Sequence, residues 1–368
     1  MEKPEIDNRV VMTLDAGGTN LVFSAVSGGQ LIVEPITLPS SGDNLDKCLQ
    51  AMVQGFETVS RQLPSPAVAI SFAFPGPADY PNGVIGGFLP NFPAFRSGVA
   101  LGPFLEDRFG VPVFINNDGD LFAYGEAFAG RLPEINARLA ELGSPKRYGN
   151  LLGYTFGTGF GVGIVSGGRL HIGDNSCVET FCLRNSIYSD HIAESTVSAG
   201  GIRREYARLS GINDPLLETK DIYDIADGTR PGDREAALKA FEIFGTVAGD
   251  AIASAASLID GIVVLGGGVA RGNKFFMPAL LAQMRGKLLN YNGESLSCVQ
   301  PQVYNLDDEG EFMQFAHGEA RKLQVYGSDR MVDYDPHKRI GVTVSRIGSS
   351  RAIQLGAAAY ALNRIDGK

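Results

Sequence analysis

Residues 10–26 read VVMTLDAGGTNLVFSAV. Two apolar, partly β-branched runs, 10–14 and 21–26, flank Asp15-Ala16-Gly17-Gly18-Thr19. Short apolar runs on either side of a glycine-rich turn predict a β-hairpin. A dinucleotide fingerprint would instead carry GxGxxG from a strand into a helix. The turn puts a carboxylate at a strand end, then residues with minimal side chains, then a hydroxyl. Backbone N–H groups around Gly17 and Gly18, with the Thr19 hydroxyl, can point at phosphate oxygens. Asp15 then suits Mg²⁺, which takes one or two carboxylates plus substrate phosphates. A plain hairpin turn is the competing reading of these residues taken alone.

Working outward, a third strand is expected at 30–34, and Leu45, Cys48, Leu49, Met52, Val53 and Phe56 have the spacing of an amphipathic helix over 44–62. A buried strand at 67–74 stops at Pro75-Gly76-Pro77, followed by a helix over 99–109, a strand over 111–115 and a helix over 121–129. This order implies a mixed sheet with helices on its faces. The pattern restarts at 151: runs 151–156 and 161–165 flank Gly157-Thr158-Gly159, a second glycine-turned hairpin. An alanine-rich helix over 238–258 precedes a strand, 262–265, that enters Gly266-Gly267-Gly268. Two domains of related build follow, 1–130 plus 351–368 and 131–350. Within the second, 131–149 reads as an inserted helical flap with Leu132, Ile135, Leu139 and Leu142 at helical spacing. Residues 300–345 read as a strand-rich decoration, and the chain closes on a helix over 351–363.

Composition narrows the function classes. The chain has 368 residues, 44 % hydrophobic and 20 % charged, an ordinary globular balance. Its 47 glycines are nearly twice the average share of about 7 % and are bunched, as expected where backbone approaches a ligand closely. A formal charge of −9 without a Lys/Arg cluster disfavours nucleic acid as a partner. No run of 18 apolar residues occurs, and the acidic start MEKPEIDNRV does not read as a secretory leader, so a cytoplasmic location without membrane insertion is expected. Four cysteines in so long a chain make no disulfide framework. GxxxxGK[ST] and GxSxG are both absent, which excludes a Walker A loop and a nucleophile elbow.

Asp15–Thr19, Pro75-Gly76-Pro77, Asn117-Asp118, Thr155–Gly161, Gly266–Gly268 and the closing Gly356-Ala-Ala-Ala-Tyr360 stand in an order that resembles the ROK family of sugar kinases and repressors. The resemblance spans nearly the whole chain apart from 131–149 and about 300–345. It implies the α/β fold of the actin-like, ribonuclease H-like superfamily, with two domains, each a mixed sheet flanked by helices, and a cleft between them. It further implies ATP and Mg²⁺ as cofactors, a small sugar as partner and a homodimer.

Asn116-Asn117-Asp118 follows a strand and opens a helix, where an Asx run is also a normal N-cap. Phosphoryl transfer needs positioning, charge neutralisation and a carboxylate that accepts the hydroxyl proton. The resemblance gives Asp118 that role and makes Asn117 a sugar ligand. It likewise places Asn91, Glu179 and Glu194 at the sugar, and Asp15, Gly17, Gly18, Thr19, Gly157, Thr158, Gly159, Gly266, Gly267 and Gly268 at the phosphates. Two departures stand out. Gly119-Asp120-Leu121 replaces an Ala-Asn-Ala-like run and adds a carboxylate. In Val178-Glu179-Thr180-Phe181-Cys182, cysteine stands where the family has histidine, and the zinc-binding cysteine cluster that follows there is missing. No zinc site is therefore expected, and Cys177 and Cys182 are read as small buried hydrophobes.

The leading reading is an ATP-dependent kinase acting on a hydroxyl, the 6-OH, of a hexose or hexosamine such as glucose. The alternative is a sugar- or nucleotide-binding protein of the same fold without catalysis. A transcriptional regulator would carry a DNA-binding domain ahead of the first turn, where only nine residues precede Val10. An actin-like ATPase would hydrolyse ATP without sugar, and the Asn-Asp element counts against it.

Overall fold

The hairpin at the start of the chain forms as the pattern predicts. In the computed structural model, which describes residues 7–76 and 78–367, strand Val10–Ala16 pairs antiparallel with Asn20–Ser27, Asp15 opposite Val22. The chain divides into two units: Met1–Gly130 with Gly163–Val178 and Ile347–Lys368, and Arg131–Val162 with Glu179–Arg346.

In the first unit the strand order is Gln30–Leu31, Asn20–Ser27, Val10–Ala16, Ala67–Ala73, Val113–Asn116, and Ile36–Pro39 also pairs with Asn20–Ser27. The last three strands of that order run parallel, and Asp15, Ala73 and Asn116 lie in one register row at their carboxyl ends. In open α/β sheets this edge is where ligands bind. Strand alternation sends Met12, Leu14, Ile70, Phe72 and Ile115 into one core with Cys48, Met52, Phe56 and Val59 of helix Leu45–Ser60. Asn44 caps that helix by accepting from Lys47 N. Val11, Ala69 and Phe114 face the other way, onto Leu355 and Ala358 of the closing helix Ser349–Ile365.

That closing helix also fixes helix Asp118–Phe128. A Cβ at Gly356 would lie 1.9 Å from Leu121 O, and one at Gly125 equally close to Ala352 O. The two helices meet backbone to backbone, so the helix that begins at Asp118 has little freedom to shift.

In the second unit the order is Phe160–Ser166 through its first residues, Leu151–Phe156, Ile262–Gly266, Arg339–Val344, Gln302–Asn305. The last four strands run parallel, with Thr155 opposite Gly266. Helix Arg234–Ile259 is long and apolar enough to cross a membrane by length and composition, yet most of its middle is buried in this unit. It packs tightly on helix Asn273–Met284: a Cβ at Gly245 would lie 2.3 Å from Phe276 O.

Several segments differ from expectation. The stretch 131–149 contains helix Arg131–Glu141, whose Leu132, Ile135 and Leu139 are buried. Arg131 donates to Thr343 Oγ1 and Asp307, and Tyr148 OH to Arg339 O, so the stretch is part of the packing of its unit. Residues 300–345 supply two strands of the main sheet, helix Glu309–His317 and an exposed two-stranded ribbon, Arg321–Gln324 with Met331–Tyr334. Their alternation is hidden because the two sheet strands are short or buried on both faces. Cys177 and Cys182 are both exposed, correcting their assignment to the core. Their loop is pinned by polar and backbone bonds, which demand no apolar side chain. Pro77 of the Pro-Gly-Pro motif lies outside the described residues.

Candidate active site

The Asp15–Thr19 turn is closed by Gly17 N–H donating to Asn20 O at 2.9 Å. Gly17 therefore shapes the turn. The N–H groups of Gly18 and Thr19 donate to no acceptor among the described residues, which leaves them for a ligand. Asn91 arrives from a separate loop and its side chain stands on Gly18, where a Cβ would lie 2.8 Å from Asn91 Cγ. The turn and the loop approach this closely only because Gly18 has no side chain.

At the same sheet edge, Asn117 caps helix Asp118–Phe128. Its Oδ1 and Asp118 Oδ1 both accept from Gly119 N–H at 2.8 Å. The Asn117 side-chain NH₂ donates to no acceptor among the described residues. Asp118 is exposed as a residue, yet desolvation by the protein packed around its carboxyl pushes it above its ordinary range, partly offset by the Gly119 N–H. Asp15 is raised too, first by desolvation and then by the charge of Asp118. No Lys, Arg or His forms an ion pair with either carboxylate among the described residues. Two carboxylates whose charge is disfavoured, at the end of a phosphate-type turn, form a donor set that a hard divalent cation would relieve. Asn116, 1 % exposed, shares the register row with Asp15, and its Nδ2 has no partner among the described residues.

The second unit repeats the arrangement. Gly157 N–H closes its turn on Gly159 O at 3.1 Å. Glu194 Oε2 accepts from Phe160 N at 2.9 Å, and a Cβ at Gly159 would lie 2.7 Å from that same oxygen. Glu179 is half-buried nearby in sequence-distant chain: Glu194 N donates to Phe181 O and Ala193 N to Leu183 O, which ties 179–183 alongside 192–194. Gly267 has φ +90° and a Cβ there would lie 2.2 Å from Phe156 O, so the third glycine run passes directly over the end of strand Leu151–Phe156.

Beside this turn is a cavity of about 720 Å³ lined among others by Thr158, Thr219, Tyr223, Phe241, Gly268 and Arg271. Of the phosphate candidates of this unit, Gly157, Thr158 and Gly268 line it, while Gly159, Gly266 and Gly267 do not. Sequence reasoning missed Thr219, Tyr223, Phe241 and Arg271. The one local signal was Glu218 with Asp221, whose side chains form a capping box for helix Thr219–Asp227. Among the described residues, no group of three or more His, Cys, Asp or Glu side chains is arranged to hold a metal by itself.

The ROK family profile matches residues 11–181. The crystal structure of a glucokinase from Parabacteroides distasonis is 56 % identical and covers 97 % of this chain and 98 % of its own, with a TM-score of 0.89. A glucokinase from Thermotoga maritima is 26 % identical over 302 residues, 76 % of this chain and 86 % of its own length. A ROK family glucokinase from Streptomyces griseus, solved with glucose and AMPPNP, shares the fold at 19 % identity and a TM-score of 0.60, over 95 % of this chain and 98 % of that one.

Proposed function

The chain belongs to the ROK family and has the actin-like fold, and from that premise we propose that it transfers the γ-phosphoryl group of ATP to a hydroxyl of a hexose or hexosamine. In this reading the 6-OH is the acceptor and glucose is the first sugar to try. The observation that carries it is the Asp118 carboxylate, without an ion-pair partner among the described residues, raised in pKa, and set at the sheet edge that also ends in Asp15 and the Gly17–Thr19 turn.

Asp118 accepts the proton of the attacking hydroxyl, a role that contributes roughly 10²–10⁴-fold. Its raised pKa brings it nearer to neutrality and strengthens it as a base, while the Gly119 N–H fixes the carboxyl's orientation. Asn117 and Asn91 hold sugar hydroxyls through planar amides, and Glu194 and Glu179 do so through carboxylates; a site built on such groups rejects analogues that lack the hydroxyls. The N–H groups of Gly18 and Thr19 take phosphate oxygens, as do those of Thr158 and Gly159. The body of the nucleotide fits the 720 Å³ cavity, where Tyr223 and Phe241 offer aromatic faces and Arg271 a cation. Asp15 is the residue that would hold Mg²⁺, which supplies neutralisation of the phosphate charge when bound.

The test is a coupled ADP-release assay across hexoses and N-acetyl-hexosamines, with the phosphorylated product identified by mass. Sugar-dependent ADP release with a sugar phosphate as product is expected. Sugar binding by calorimetry without any product would favour the non-catalytic alternative, which draws its support from Cys182 at the family's histidine position.

A further inference from the structure

Pro39-Ser40-Ser41-Gly42 runs between the phosphate turn and the Asn91 loop of the first unit. Strand Ile36–Pro39 pairs with Asn20–Ser27, Pro39 opposite Asn20, which brings the chain alongside the turn. Ser40 is 2 % exposed. Its N–H donates to Thr19 O at 3.0 Å, and its hydroxyl to Gly18 O at 2.7 Å. Two residues on, Gly42 lies under Asn91: a Cβ there would sit 2.1 Å from Asn91 O, and Gly42 O accepts from Ala94 N at 3.2 Å. Ser41 between them has φ +47°, an uncommon conformation for serine, and its carbonyl accepts from Asn44 N at 2.9 Å. A backbone outlier held on both sides is where a constraint on geometry is to be sought. Asn91 in turn stands on Gly18, so turn, linker and loop close a ring of contacts.

Resting on the kinase reading above, we propose that Ser40 is a positioning residue that couples the phosphate side of the site to its sugar side. The Ser40 hydroxyl holds the Gly18 carbonyl, which keeps Gly18 where the Asn91 side chain packs on it. Its backbone delivers Gly42 beneath the Asn91 carbonyl. A change in the turn is thereby felt at Asn91, and the reverse.

The experiment is a kinetic double-mutant cycle of Ser40→Ala and Asn91→Ala, with Ser40→Thr and Gly42→Ala alongside. Loss of one buried hydroxyl bond should raise KM for both ATP and sugar about three- to tenfold, with kcat changing less. Ser40→Thr, which keeps the hydroxyl, should recover most of this. In the Asn91→Ala background, Ser40→Ala should leave the sugar KM where it is, because no amide then stands on Gly18. Gly42→Ala should raise the sugar KM most and, through Asn91 and Gly18, raise that for ATP by a smaller factor. The same factor on the sugar KM in both backgrounds overturns the coupling, as does a lowered melting temperature with wild-type KM values. A wild-type chain with no sugar-dependent turnover overturns the kinase reading itself, so the two failures are told apart.

Discussion

The two glycine turns share a construction and differ in charge. In each, the first glycine N–H closes the turn, on Asn20 O or on Gly159 O, and the next N–H groups donate to no acceptor among the described residues. Each is also braced by a side chain from distant sequence that touches a glycine and would have to shift to admit a Cβ: Asn91 on Gly18, Glu194 on Gly159. The first turn has a carboxylate at its strand end and a neutral brace; the second has Thr155 at its strand end and a charged brace held by Phe160 N–H. Beside the first lies Asp118, beside the second an aromatic-lined cavity. The same backbone device thus stands in two different side-chain settings, one carboxylate-rich and one beside an aromatic-lined cavity.

The largest expected effect separates the strand ends. Asp15→Asn should lower kcat/KM by about 10²-fold or more, since it removes the carboxylate that would hold the Mg²⁺ neutralising the phosphate charge. Thr155→Ala should cost no more than about tenfold, the worth of one neutral hydrogen bond. Equal losses would break the division of labour. Next come the braces. Gly159→Ala pushes the Glu194 carboxylate off Phe160 N–H, and a bond to a charged group is worth more than a packing contact. It should raise the sugar KM about 10- to 100-fold, against about three- to tenfold for Gly18→Ala. The reverse order would place the stronger sugar anchor at Asn91.

The smallest effect is in pH. Asp118 must be ionised to accept a proton, and its carboxyl is raised by desolvation, as is that of Asp15. Activity should therefore fall as pH drops through a value above the ordinary carboxylate range, not within it. A profile of kcat/KM that stays flat down to about pH 4 would remove Asp118 from the role of base.

Much of this was legible in residue order. The hairpins around Asp15–Thr19 and Gly157–Gly159, helix Leu45–Ser60 and the opening of helix Asp118–Phe128 were readable because local signals, namely turn glycines, an N-cap and apolar spacing, agree with the tertiary fold. Helices Ala199–Ser210 and Thr219–Asp227 were not read, and with them Thr219 and Tyr223 of the cavity; these segments are short and rich in polar residues. Helix Asn273–Met284 carries Pro278 in its interior, a signal that argues against the helix it belongs to. The braces were invisible for another reason. That Asn91 meets Gly18 and Glu194 meets Gly159 depends on loops some 70 and 35 residues away, and no local pattern records such contacts.

Asp118→Asn tests the central claim most directly, because the amide keeps the size of the carboxyl and its contact to Gly119 N–H but cannot take a proton. Sugar-dependent ADP release should fall by about 10²–10⁴-fold, while calorimetric affinities for sugar and for a non-hydrolysable ATP analogue stay near wild type. Turnover within about twofold of wild type, on protein of unchanged melting temperature, would contradict the assignment of the base.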